Sequence, residues 1–589
     1  MQMTRKGFLA GLSATAAMGW SRLFAECRPF GAGASALAPR IARLLDRALD
    51  HDVFPEAKAV VYDSEDEKLP EPIRIGKRLK EYISAQPVAI RPDEELVGWL
   101  SFDGSVESDL YRRTGHLTFN GVCLPEYYVK PQENLAIFEW QHTCADFPKI
   151  VNGGLIGIRR DIGTAKSKWA GNRDRLDYLR GMELALEGIE ERARNCAAEC
   201  RRLAGLEVDP VRKVTLHEMA ARCDRVPMNP ARTFDEGIQA VFFCYDFLSD
   251  AIGRLDQYLA PFYFADLKAG RITRERAGER LQELFIFINA HTPHRSGNYD
   301  KGGECHMTVG GLRPDGSDAW TDFSRLVVES AMACDLKRPE MSFRWHPGTK
   351  REVLRFMLDC ERCDPNKRVA FDGDVRRVEM LRHRCGFPAE TARDYCITGC
   401  NEVVFMGGVS FGGFHANAVR CLDRLFSVNR EQVIACADWE SFAALFEREF
   451  HHDLGEIDAW SKRFNEIRSR DCNVLSALFL KGCVENAESP TRGGATHEVP
   501  CIDLLGTPNL IDSLCIVRQF VFEERRCTME KLVAALRRTG GGTRNFGRKS
   551  AARAGFTART TLFQMRWLNL SMPRWPVGWK VAAITSENR

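Results

Sequence analysis

Residues Asp394 to Val403 read Asp-Tyr-Cys-Ile-Thr-Gly-Cys-Asn-Glu-Val and place a thiol and a carboxylate two positions apart, at Cys400 and Glu402. Glycines follow at Gly407, Gly408, Gly412 and Gly413. In an extended segment residues i and i+2 point to the same side, so Cys400 and Glu402 are expected to face one pocket. A thiol beside a base in an apolar setting is a working pair for hydrogen-atom or proton transfer. The same residues also fit a plainer reading, a buried cysteine at a strand end with a glutamate that happens to follow, because free cysteine is commonly a small core residue. A polar mechanism with Cys400 as nucleophile would need a histidine partner, and the chain has no local His–Cys signature.

The elements that must hold such a pair lie in a chain of 589 residues, long enough for a sizeable core. Apolar residues make up 44% and charged residues 28%, the balance of an ordinary globular protein rather than of a disordered or membrane-embedded one. The net charge of +3 is unevenly spread: residues 539–589 hold nine Lys/Arg and one acid, Glu587, or +8, which leaves about −5 for the rest. A mildly acidic body offers no nucleic-acid surface. The 21 cysteines follow no framework spacing, as expected of a reduced protein. Cys360 and Cys363 close an amphipathic run through Val353, Phe356 and Met357. Cys196 and Cys200 sit four apart on a charged helix without metal-site context, and neither this pair nor Cys396 and Cys400 is followed by a further cysteine at +3, so the cluster motif that radical S-adenosylmethionine enzymes use is not present.

Along the chain, Arg5-Lys6 precedes a short run of small and apolar residues that ends near Trp20. Residues 1–26 read either as a targeting segment similar to a twin-arginine signal, or as a disordered start. No other stretch is apolar enough to cross a membrane. Leu44–Leu49 is expected to be helical and Pro87–Leu100 extended. Helices are expected over Arg175–Leu206, Pro230–Leu259 and Thr273–Ile288, with short strands at Val309-Gly310-Gly311 and Met341–Arg344. Strands alternating with helices argue for an α/β arrangement in one large domain, residues 27–538.

A colinear series of motifs carries a family resemblance. It runs Arg225-Val226-Pro227, Pro230 to Glu236, Gly253 to Tyr258, Thr308 to Gly311, Arg393-Asp394-Tyr395 leading into Gly399-Cys400, then Asp512-Ser513-Leu514 and Phe522-Glu523-Glu524. In this order, over roughly Arg91 to Leu536, the chain resembles the glycyl radical enzymes of the pyruvate formate-lyase-like family. The resemblance implies a ten-stranded barrel of two half-barrels wrapped by helices, with the cysteine on an internal finger loop. It implies no bound cofactor but a backbone glycyl radical, installed by a separate activase that uses S-adenosylmethionine and an iron–sulfur cluster. It implies a homodimer acting on a small molecule in the cytoplasm, whereas the N-terminal segment leaves export open. Members that transfer acyl groups to coenzyme A carry a second cysteine where this chain has Asn401. The Cys-x-Glu pattern is similar to the eliminating members, in which Cys400 would carry the thiyl radical and Glu402 would take the hydroxyl proton of a small hydroxylated substrate. The family's His-x-x-x-Asp falls at His142 and Asp146, implying substrate contacts there. Arg254 and Asp256 are expected to form an ion pair at a helix end.

The family's radical loop, Arg-Val-x-Gly-Tyr, has no counterpart in the sequence. The nearest string, Arg553-Ala554-Gly555-Phe556, is one residue short and too close to Phe522, so Gly555 is not assigned. After Leu536 the composition breaks, with three consecutive glycines, Gly540 to Gly542, and three tryptophans in a basic tail. The expectation is a frameshifted or truncated C-terminal part, residues 539–589. The rival to an active lyase is then a non-catalytic barrel, either a remnant or a binding protein.

Overall fold

The computed structural model describes residues 37–49, 58, 60–61, 63–100, 135–137, 141–245, 247, 251–290, 305–399, 401–411, 414–469 and 472–537. The N-terminal segment, the basic tail and Cys400 lie outside the described residues. Two compact units are recognised, one drawn from residues 1–116, 142–410 and 471–499, the other from 117–141, 411–470 and 500–589.

The first unit is built on strands β2 (Gln141–Cys144), β3 (Ala251–Gly253), β4 (His306–Gly310), β5 (Glu340–Trp345), β6 (Val369–Gly373), β7 (Tyr395–Thr398), β8 (Glu402–Phe405) and β9 (Gly408–Phe411). Strands β3-β4-β5-β6 form a parallel sheet in that order. The helices between them, Arg274–Ala290, Asp322–Ala333 and Arg351–Cys363, are the crossovers that parallel strands require. Met307 and Val309 on β4 and Met341 and Phe343 on β5 take one face of the sheet. His306 and Thr308 on β4, Ser342 and Arg344 on β5, and Asp372 on β6 take the other, and all five are buried. A parallel sheet covered on both faces usually reads as continuously apolar. Here every second position is polar, so this face must be matched by hydrogen bonds.

The match comes from the hairpin β7–β8. Its antiparallel register sets Tyr395 opposite Phe405, Ile397 opposite Val403 and Thr398 opposite Glu402. Tyr395, Ile397, Val403 and Phe405 pack with Leu381, Ala392 and Val499. The polar face of the sheet reaches the hairpin elsewhere: the hydroxyl of Thr308 accepts from the backbone N–H of Ile397 at 2.9 Å. At the hairpin base Arg344 is wholly buried, forks onto Asp374 at 2.8 and 3.0 Å, donates to the carbonyls of Tyr395 and Arg393, and stacks on the Tyr395 ring at 3.8 Å. Removing either partner of such a pair leaves an uncompensated buried charge.

The expected helix over Pro230–Leu259 is interrupted. Phe234–Tyr245 is helical, Ala251–Gly253 is strand β3, and a short helix follows at Leu255–Tyr258. The dense apolar run over Ile238–Tyr245 hides this break, because a buried helix and a buried strand share that signal. Arg254 also departs from expectation. Its carboxylate partner is Asp394 at 2.7 Å, whereas Asp256 accepts from the Ser324 hydroxyl at 2.7 Å and the Gly310 N–H at 3.1 Å. Arg254 thus ties the start of β7 to the carbonyls of Gly310 and Leu312. The long helix Arg173–Leu206, the helix Arg274–Ala290 and strand β5 lie where the sequence puts them, whereas β4 starts three residues earlier than expected and leaves out Gly311.

In the second unit β1 (Leu135–Ile137), β10 (Phe414–Asn417) and β11 (Ile502–Leu505) form a sheet, β1 antiparallel and β11 parallel to the central β10. Its helices bury Leu425, Phe442, Leu445, Leu514, Val517 and Val533 together. Hydrogen bonds among the described strands make these separate sheets and do not close a ring.

Candidate active site at the tip of the β7–β8 hairpin

Thr398 and Glu402 close the hairpin, so residues 399–401 are its turn. The extended segment expected through Glu402 is broken here, because Gly399 has φ +53°, a left-handed conformation that favours glycine. Glycine is needed for a second reason. A first side-chain carbon at 399 would stand 2.4 Å from Nε2 of His142 and 2.6 Å from Oε2 of Glu402. Both polar groups therefore close directly on the Gly399 backbone.

Glu402 is 2% exposed and His142 is equally buried. Oε1 of Glu402 lies 3.9 Å from Nε2 of His142, an electrostatic contact longer than a hydrogen bond. Oε2 accepts the backbone N–H of Asn401 at 2.9 Å. His142 comes from β2, which pairs with β9. Two residues further along β2, the thiol of Cys144 sits against that of Cys396 on β7, and burial pushes the Cys144 thiol well above the usual range. The period of two along β2 thus aims His142 at Glu402 and Cys144 at the strand below it.

Asp146 lies beyond the strand, at the start of the helix Phe147–Lys168. It caps that helix by accepting from the N–H of Lys149 at 3.3 Å, with Lys481 4.0 Å away. Burial raises its carboxyl above the usual range, against the opposing pull of Lys481. The structure therefore brings His142 to Glu402 and gives Asp146 an N-cap position. Cys400, the remaining predicted residue, lies outside the described residues.

Three groups that sequence reasoning passed over also meet this turn. His306 Nδ1 donates to the carbonyl of Gly399 at 2.9 Å, and its Nε2 accepts from the hydroxyl of Ser342 at 2.9 Å. Arg377 donates to the side-chain oxygen of Asn401 at 3.1 Å and to Asp372 at 3.0 Å. The signal for His306 and Ser342 was the alternation His-Met-Thr-Val-Gly and Glu-Met-Ser-Phe-Arg, with polar residues at every second place of buried parallel strands, whereas Arg377 comes from the helix Asp374–His383 and had no such signal. Among the described residues no cluster of His, Cys, Asp and Glu has a metal-binding arrangement, and no helix is long and apolar enough to cross a membrane.

The geometry is a buried acid–imidazole pair closed on a glycine turn at the tip of a hairpin laid over a parallel sheet. Comparison with solved structures finds the same fold. A 1,2-propanediol-dehydrating protein of Roseburia inulinivorans aligns with TM-score 0.74 at 21% identity, covering 88% of this chain and 75% of that one. The B12-independent glycerol dehydratase of Clostridium butyricum aligns with TM-score 0.68 at 21% identity, covering 86% and 74%. Among curated relatives, the isethionate sulfite-lyase of Desulfovibrio desulfuricans is 26% identical over 444 residues, 68% of this chain and 52% of its own length. The trans-4-hydroxy-L-proline dehydratase of Clostridioides difficile is 24% identical over 432 residues, 67% and 54%. The chain thus spans about half the length of the curated relatives it matches. A family model described as pyruvate formate lyase-like matches residues 133–435 and 462–566, which takes in the hairpin, the parallel sheet and part of the second unit. With that match over most of its length, the chain belongs to the pyruvate formate lyase-like family of glycyl radical enzymes.

Proposed function

We propose that the protein is a glycyl radical lyase or dehydratase acting on a small substrate with a hydroxyl on one carbon and a leaving group on the next. The observation that supports this most directly is the buried His142–Glu402 pair at the hairpin tip, with Cys400 between Gly399 and Asn401 in the chain. A thiyl at Cys400 takes the hydrogen atom from the hydroxyl-bearing carbon, so that an S–H bond forms and a C–H bond breaks. Glu402 accepts the hydroxyl proton, and the electron density released drives out the neighbouring leaving group with its bonding pair. The resulting carbonyl radical regains a hydrogen atom from Cys400. His142 contacts the substrate oxygen. Asn401, in place of a second cysteine, disfavours acyl transfer. In family members of this kind the first hydrogen-atom acceptor is a backbone glycyl radical installed by a separate S-adenosylmethionine activase, and the protomers pair as homodimers. The low exposure of His142 and Glu402 suits radical chemistry, since solvent and oxidants are kept from the intermediates.

The test is anaerobic incubation of the protein, supplied with a segment that carries the Arg-Val-x-Gly-Tyr loop absent from its sequence, with such an activase, S-adenosylmethionine and a reductant, with glycerol, 1,2-propanediol and isethionate offered in parallel. Aldehyde release from one of them is expected, with none from the Cys400→Ala variant. Turnover that survives Cys400→Ala would overturn the reading.

A further inference from the structure

The two peptide planes that flank residue 400 are each pinned by a different side chain. The 399–400 peptide is held through its carbonyl oxygen, which accepts from His306 at 2.9 Å. The 400–401 peptide is held through its N–H, which donates to Glu402 at 2.9 Å. Because a peptide unit is planar, holding one of its atoms in direction orients the whole plane, including the bond that leads to the next α-carbon. We infer that His306, backed by Ser342, is a positioning residue that locks the Gly399 carbonyl at the head of the turn, and that Cys400, the next residue in the chain, depends on this lock for its reactivity. The inference rests on the reading of Cys400 as the hydrogen-atom carrier, and it adds a residue that this reading does not use.

Such a lock is needed here. Glycine populates left- and right-handed conformations about equally, so the peptide after Gly399 has little intrinsic barrier against flipping. His306 is suited to the task because its donor is fixed. It is buried, and burial lowers its pKa against the opposing pull of Glu340 and Asp372, so the ring is neutral. A neutral ring carries one proton. The Gly399 carbonyl can only accept, so the proton sits on Nδ1, and the hydroxyl of Ser342 then donates to Nε2. Glu340, 3.6 Å from Nδ1, is paired in turn with Arg338, and Arg338 opposes protonation of the ring. The register sets His306 beside Glu340 and Thr308 beside Ser342, so the lock belongs to the sheet and not to the hairpin. On the far side Arg377 holds the Asn401 side chain.

The resting protein, before any radical is installed, suffices for the test. Cys400 is alkylated with iodoacetamide and the labelled peptide is quantified over time, with Cys363 and Cys385, both half-buried, as internal controls. Loss of the donor in His306→Phe is expected to change the Cys400 labelling rate by about tenfold, the equivalent of one buried hydrogen bond, while the control thiols hold their rates. His306→Asn, whose amide nitrogen can stand where Nδ1 stands, should restore the wild-type rate within about threefold, and Ser342→Ala should fall between the two. Wild-type labelling of Cys400 in His306→Phe would overturn the proposal. So would a shift in His306→Phe that Asn fails to rescue, or one shared equally by the control thiols, because general loosening would explain either. No turnover is measured, so failure of the lyase reading in the Cys400→Ala assay is scored separately from failure of the lock.

Discussion

At Glu402 the carboxylate meets two demands at once. Oε2 is engaged by the N–H of Asn401, while Oε1 faces His142 across 3.9 Å and is the oxygen placed to take a proton. Glu402→Gln separates these duties, because the amide oxygen can still accept from Asn401 but the side chain is no longer a base. That variant should keep the melting temperature of the wild type and lose about 10²- to 10⁴-fold in kcat, the usual worth of a positioned general base. A kcat within a few-fold of the wild type would remove Glu402 from the proton transfer. Glu402 stands out in the sequence because its offset from Cys400 is short and local. His306 and Arg377 do not, since they reach the turn from a strand and a helix roughly 20 to 100 positions away, and Ser342 backs His306 from the neighbouring strand β5.

The hairpin is an element whose strength lies at its two ends. At the tip, Gly399→Ala adds a carbon 2.4 Å from His142 Nε2 at a residue with φ +53°. The left-handed backbone alone costs on the order of 1–3 kcal/mol, and the clash must also push His142 from Glu402. The expected outcome is a lower denaturation midpoint together with a loss of turnover, read by urea titration and by the aldehyde assay. An unchanged midpoint would mean that the turn relaxes freely. At the base, Asp374→Asn leaves Arg344 buried without its charge partner and should cost about 3–5 kcal/mol by the same titration. Strand β5 was readable nearly end to end, β4 only at Val309 and Gly310. Strand β3 was not, because three buried residues between two helical runs carry no period of their own.

Across the whole molecule, charge rather than apolar area distinguishes the docking of the first described helix, Pro39–Leu49. Arg40, Arg43 and Arg47 meet Asp93, Glu95 and Glu283, while Ile41, Leu44 and Ala48 fill the contact. Beside them the buried Glu94 is pushed up to about 7, chiefly by desolvation, with Glu283 adding to the rise and Arg91 opposing it. A carboxyl raised in the folded state holds a proton that the unfolded chain has released. Stability from this group is therefore greatest at acid pH and falls as pH rises from about 4.5 to 7. Glu94→Gln removes the titration, so the variant should gain up to about 3 kcal/mol over the wild type at pH 8 and nothing at pH 4. Melting curves at the two pH values decide this, and an equal shift at both would assign the effect to packing.

Twelve of the 18 cysteines among the described residues are buried, and the scattered spacing of the cysteines argues for thiols rather than a disulfide framework. Denatured protein alkylated with and without prior reduction should show the same labelling at each of these positions by peptide mapping. The family itself was legible because its motifs recur in a fixed order over most of the chain, so many weak local matches add to one strong global one. The division into two units was not, since each draws on separated spans of sequence.

Thr398 opposite Glu402 leaves three places at the apex and no slack. One residue inserted there would slide the second strand by a step and rotate its carboxylate to the side lined by Leu381 and Val499, where an anion finds only hydrocarbon. Descendants of this chain are therefore free to vary the last place of the apex, now Asn401, but neither to replace the glycine at its first nor to lengthen it.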